Sequence, residues 1–143
     1  MKILFICHAN ICRSFIAQEL MKKLLPRAEV FSRGLYVDPE LSVPQKVLDF
    51  LADQKIMPAP HRPVQLTEQD LQQADLIFCM EPQHMDKLAD RYAQYTDKLW
   101  LLNDFAFGKE TPVVDPISLS GSAFQKQARL LQKAVAACAL RLQ

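Results

Sequence analysis

The first 25 residues leave the chain little freedom. Ile3, Leu4, Phe5 and Ile6 form a short continuous apolar block of the kind a buried strand makes, and Cys7 follows at its end. From Ile16 the apolar residues switch to helical spacing, with Ala17, Leu20, Met21, Leu24 and Leu25. Between the two lies only a tight connection, residues 8–14. Strand, loop and helix in this order open a βαβ unit. Such a loop aims its backbone N–H groups into a bowl at the positive end of the helix dipole, so an anion site is expected there.

A cysteine begins this loop and an arginine closes it, with five residues between them. A thiol beside a helix N-terminus and a guanidinium is expected to ionise well below its usual ~8.5. Arg13 offers a planar fork that suits two oxygens of a phosphate. Cys7 beneath a phosphoryl group is then a nucleophile, and the surrounding donors hold the equatorial oxygens. Ser14 is expected to hydrogen-bond the sulfur and improve it as a leaving group. A cysteine ending an apolar strand also fits a small buried hydrophobe, and the spacing alone leaves both readings open.

Cys7-His8-Ala9-Asn10-Ile11-Cys12-Arg13-Ser14 resembles the C-x-G-N-I-C-R-S-P signature of the low-molecular-weight protein tyrosine phosphatases. Ala9 stands where that family usually has glycine, and Phe15 where it usually has proline. Neither change removes a reacting group, but Ala9 puts a Cβ into a loop built for glycine. Ser32-Arg33-Gly34-Leu35 resembles the family's S-A-G-T/L turn. His61-Arg62 with Gln65-Leu66 is similar to its H-x-x-R-Q-L segment, although the arginine is displaced by two positions.

Composition bounds the rest. With 143 residues, half of them hydrophobic, one domain with a proper core is expected. Lys+Arg 17 against Asp+Glu 16 gives no electrostatic case for nucleic acid. No apolar run approaches the ~18 residues of a membrane span, and Met1-Lys2 leads directly into a strand with no signal-peptide pattern. A cytoplasmic protein is therefore expected. Cys7, Cys12, Cys79 and Cys138 are too scattered for a zinc site, and no metal or cofactor is expected. The three glycines, Gly34, Gly108 and Gly121, are assigned to loops.

Further along, Pro26 stops the first helix at Leu25, and Ala28 to Ser32 reads as a strand. Pro44 to Gln54 reads as a helix, and Thr67 to Asp70 as a capping-box start of a short one. Asp75 to Met80 reads as a strand buried on both faces, Pro82 onward as a helix, and Leu99 to Leu102 as a strand containing Trp100. Asn103 to Gly121 shows no clear periodicity and reads as a long loop. From Ser122 to Leu142 a stripe of Phe124, Ala128, Leu131, Val135, Cys138 and Leu142 marks the last helix. Strands alternating with helices argue for an α/β domain with a parallel sheet, with ligand beyond the carboxyl ends of the strands. The resemblance implies four strands with helices on both faces, a flavodoxin-like fold.

The resemblance also implies roles. Asp115-Pro116 matches the family's general acid, Cys7 the nucleophile and Arg13 the phosphate clamp. His8, Ala9, Asn10, Ile11, Cys12 and Ser14 complete the phosphate-binding loop, with Asn10, Ser14 and His61 supporting it. Leu35, Tyr36 and Ile117 are expected to flank the substrate. Ile117 and Ser118 stand where the family often has tyrosines, so phosphatase chemistry is expected more firmly than tyrosine preference. The implied substrate is phosphotyrosine on a protein, in bacterial relatives often a tyrosine kinase controlling polysaccharide export, with phosphate and other oxyanions as ligands. A disulfide between Cys7 and Cys12 under oxidant is expected to shield the nucleophile. Three alternatives stay open. The chain is a phosphate-binding module without turnover, an arsenate reductase (disfavoured because Cys79 and Cys138 fall in regular elements), or a phosphoarginine phosphatase (disfavoured by Ile11, where those relatives usually carry threonine).

Overall fold

A computed structural model describes residues 1–143. Four strands, β1 (Lys2–Cys7), β2 (Glu29–Gly34), β3 (Leu76–Cys79) and β4 (Leu99–Leu101), form one parallel sheet in the order β2-β1-β3-β4. The helices are α1 (Arg13–Leu24), α2 (Gln45–Asp53), α3 (Glu68–Gln73), α4 (Pro82–Arg91), α5 (Leu102–Phe107) and α6 (Gly121–Leu142). None is long and apolar enough to cross a membrane.

The two central strands are apolar throughout because both their faces are covered. On β1, Ile3, Phe5 and Cys7 enter the larger core, packed with side chains of α1, α2, α5 and α6. Leu4 and Ile6 point the other way, into a smaller core with Leu71 of α3 and Leu88 of α4. On β3, Phe78 belongs to the first core and Ile77 and Cys79 to the second. Phe5 and Phe78 stack between the strands at 5.3 Å. The period of two thus puts Cys7 on the α1 side of the sheet.

Three expectations need correction. The stretch after β4 is not all loop, since Leu102–Phe107 forms α5, closed by Gly108 in the left-handed conformation (φ 69°). Six residues are too few to show a period, but Leu102 and Phe105 bury themselves in the larger core. Arg141 of α6 also donates to the Phe105 carbonyl at 2.6 Å. Gly121 opens α6 instead of lying in a loop, and Gly34 is the last residue of β2. A Cβ on Gly34 would lie 3.0 Å from the Ala9 carbonyl carbon and the His8 oxygen, so its absence lets β2 run against the loop after β1.

Candidate active site

β1 delivers Cys7 to the carboxyl edge of the sheet, and α1 begins at Arg13. The loop between them lines a cleft of about 180 Å³ together with Leu41, Asp115 and Ile117. Asn10 holds the loop's shape. It is fully buried, takes a positive φ of 61°, and is hydrogen-bonded through both its side chain and its backbone. Its Nδ2 donates to Ser14 Oγ (2.8 Å) and Ser32 Oγ (2.9 Å), and its Oδ1 accepts from Val64 N–H (3.0 Å). Its backbone N–H reaches Cys7 Sγ at 3.3 Å. Asparagine tolerates this conformation far better than most residues.

Ser14 Oγ lies 2.9 Å from Cys7 Sγ. Ser14 Oγ accepts from Asn10, so when Cys7 is a thiolate the Ser14 hydrogen is free to be donated to the sulfur. Ser32 Oγ passes its hydrogen on to Gln18 Oε1 at 2.6 Å. Asn10 therefore orients Ser14, and Ser14 addresses the sulfur.

His61 Nε2 donates to the Asn10 carbonyl at 3.0 Å, and its ring stacks on Phe15 at 4.2 Å. Burial pushes the imidazole below its usual 6.5, outweighing the bond to Asn10. A neutral ring with one N–H suits this contact.

Arg13 is buried and held on one side. Its Nη1 donates to the Val113 carbonyl (2.9 Å) and lies 3.3 Å from Glu81 Oε2. Nη2 is 3.7 Å from Asp115 Oδ2, so the Nε and Nη2 edge can take a bidentate anion. The segment carrying Asp115 is tied at both ends. Val113 N–H donates to Met80 O at 2.8 Å, and Lys46 Nζ reaches the carbonyls of Ile117 (2.5 Å) and Leu119 (2.6 Å). Asp115 Oδ1 accepts from Ile117 N–H at 3.1 Å, which turns the carboxylate toward the cleft.

The structure brings Cys7, Arg13, Asp115, the loop residues and Ile117 together on one cleft. Leu35 lies elsewhere. Strand alternation gives it the face of Phe31, and it packs on the smaller core. Tyr36 lies beside the cleft with its ring 5.2 Å from that of His8. Ala9 has no positive φ, so the loop does not need glycine there. Sequence reasoning missed Glu81, Leu41, Lys46 and His84. His84 Nε2 lies 3.2 Å from Glu81 Oε2, while its buried Nδ1 has no hydrogen-bond partner. Burial drives its pKa below 6.5 against the pull of Glu81. The available signal for Glu81 was its place just beyond β3, at the ligand end of the sheet.

The sequence family described as low molecular weight phosphotyrosine protein phosphatase matches residues 2–143. The chain belongs to that family. A protein-arginine-phosphatase of Bacillus subtilis (strain 168) is 31% identical over 81% of this chain and 79% of its own. The low molecular weight protein-tyrosine-phosphatase PtpB of Staphylococcus haemolyticus (strain JCSC1435) is also 31% identical, over 88% of each chain. The solved low molecular weight protein tyrosine phosphatase from T. tengcongensis superposes with a TM-score of 0.90 at 28% identity, covering 99% of both chains. The chain is accordingly a phosphatase with the fold and cysteine chemistry of its family. Cys79 and Cys138 are buried in β3 and α6, where burial pushes both thiols up to about 12. Neither has the mobile setting that arsenate reduction would ask of it.

Proposed function

We propose that the chain hydrolyses phosphotyrosine in proteins through a phosphocysteine on Cys7, with Asp115 as general acid. The observation that carries the reading is the convergence of Cys7, Arg13 and Asp115, from distant parts of the chain, on one cleft. Cys7 sulfur attacks phosphorus, forming the S–P bond as the O–P bond breaks in line. Asp115 gives its proton to the departing oxygen. Water then attacks phosphorus and loses a proton to the Asp115 carboxylate. Sulfur leaves toward the Ser14 hydroxyl and the Asn10 N–H. One water is consumed, and an alcohol and inorganic phosphate are released. Arg13 and the loop amides hold the three equatorial oxygens in both steps.

Beside Asp115 and the exposed His8, the cleft is lined by the apolar Leu41 and Ile117, which supports a neutral aryl leaving group. The similarity to protein-arginine-phosphatases supports phosphoarginine as a second reading. A guanidinium would find few acceptors on these walls, and phosphotyrosine stays ahead. The same reading gives the chain a cytoplasmic phosphotyrosine partner such as a bacterial tyrosine kinase. It also includes the disulfide between Cys7 and Cys12, whose thiol burial pushes up to about 12.

Rates on an aryl phosphate and on phosphotyrosine, phosphoserine and phosphoarginine peptides test this. Cys7→Ser is expected to abolish turnover, and Asp115→Asn to slow it by about 10² or more while vanadate still binds. A wild-type chain that binds vanadate but turns over nothing is a binding module, and the proposal fails. A higher rate on phosphoarginine than on phosphotyrosine peptide would replace the substrate.

A further inference from the structure

We infer that a second groove, beside the phosphate loop, is a subsite for a glutamate flanking the phosphorylated residue; the inference rests on the phosphotyrosine reading above. The segment after β2 runs directly along the loop, since Leu35 N–H donates to Cys7 O (3.0 Å) and Tyr36 N–H to His8 O (2.9 Å). It therefore lies about one strand spacing, ~4.8 Å, from the residues that line the cleft. On its far side is a small hollow of about 90 Å³. Leu35, Leu66 and Leu88 supply its apolar lining, and Tyr36, Lys87 and Arg91 its polar one.

The chemistry of this groove is specific. Lys87 and Arg91 are four residues apart on α4, one helical turn, and so project on the same side. Lys87 Nζ sits 4.8 Å over the Tyr36 ring, and the Arg91 guanidinium 5.3 Å over that of Tyr92. Neither cation has a carboxylate within 4.0 Å. Asp86 on the same helix lines a different hollow with Asp104 and Glu110. Gln65 stiffens the wall, donating to Leu35 O (2.7 Å) and accepting from Val37 N–H (3.0 Å). Two uncompensated cations above a leucine floor fit a side chain with two methylenes and a terminal carboxylate. Tyr36, whose ring leans on His8, joins the groove to the cleft. An extended peptide advances ~3.3 Å per residue, so the inferred glutamate is one or two positions from the phosphotyrosine, on the side that runs past Tyr36.

The test compares phosphotyrosine peptides flanked on either side by glutamate or by glutamine, with a small aryl phosphate reporting the catalytic centre by itself. Wild type is expected to prefer the glutamate peptides about fivefold in kcat/KM, the scale of two partly exposed ion pairs. In the double variant Lys87→Glu, Arg91→Glu the preference is expected to vanish or invert, with the aryl-phosphate rate kept. Equal rates on glutamate and glutamine peptides would overturn the subsite and leave the hydrolase reading standing. A reversal variant that slows both peptide series equally would also overturn it. If nothing is turned over, the hydrolase reading fails, and the ratio of glutamate to glutamine peptide affinities on the wild-type chain still decides the groove.

Discussion

Replacing Asn10 by aspartate changes one NH₂ for one oxygen and should reverse a chain of hydrogen bonds. In the wild type Asn10 Nδ2 donates to Ser14 Oγ and Ser32 Oγ, which frees the Ser14 hydrogen for Cys7 Sγ and the Ser32 hydrogen for Gln18 Oε1. A carboxylate has no hydrogen to give. Val64 N–H and two serine hydroxyls around it favour its ionised form, and both hydroxyls must turn to donate to it. The sulfur then loses its side-chain donor, and Gln18 Oε1 loses the Ser32 hydrogen. A hydrogen bond to a charged group contributes about 1.5–3 kcal/mol, so kcat should fall roughly 10- to 100-fold.

The orphaned Gln18 oxygen costs about 1–3 kcal/mol of stability, measurable in urea. Rates on an aryl phosphate, with unfolding curves alongside, read both effects. Should the aspartate variant fail to fold, Ser14→Ala removes the same donor with less disruption. A folded variant of either kind with kcat within about threefold of wild type would refute the claim that Ser14 serves the sulfur.

Glu81→Gln removes the charge that fixes Arg13 Nη1 at 3.3 Å but also a negative charge near the anion site. Turnover is expected to fall about tenfold while the inhibition constant of inorganic phosphate does not rise, and a parallel rise would sink the positioning argument. Acid stability follows from His61 and His84, both held below 6.5 by burial. As pH falls through 6.5 the unfolded chain takes up protons that the folded one refuses. Stability therefore drops until the lowered folded values are passed and then levels. Urea midpoints at pH 7.5, 6.5 and 5.5 check this, and a midpoint that rises on acidification would contradict it.

The frame of the molecule was legible because burial on both faces writes itself as unbroken apolar runs, in β1 and β3, and one-sided burial as a stripe, in α6. The cleft was legible where chemistry sits in one short segment, from Cys7 to Ser14. Asp115 needed the resemblance, because Asp-Pro by itself is a common turn. Glu81 and His84 were invisible for a different reason. Glu81 takes its meaning from a contact with Arg13, a long way back in the chain, and His84 from its contact with Glu81, while a carboxylate at the start of a helix has many ordinary uses. Leu35 lies off the cleft because β2 continues to Gly34, two residues past the expected end, and alternation then turns Leu35 away from α1.

The two departures from the family signature show where the loop's rigidity resides. At Ala9 the extra Cβ costs no backbone strain, because the left-handed residue is the next one, Asn10, whose side chain repays the conformation with three hydrogen bonds. The close approach that a glycine permits is made from the opposite side, by Gly34. At Phe15 the ring that replaces proline is fully buried and stacks on His61, the residue that holds the Asn10 carbonyl. A proline there would fix the first turn of α1 through its own φ, whereas the phenylalanine braces the loop through a neighbour. The oxyanion bowl is thus shaped by Asn10 from within and braced from outside by Gly34, His61, Ser32 and the backbone N–H of Val64. Substitutions at Gly34, His61 and Ser32 should therefore slow catalysis without touching a reacting group, though less than loss of Cys7 or Arg13.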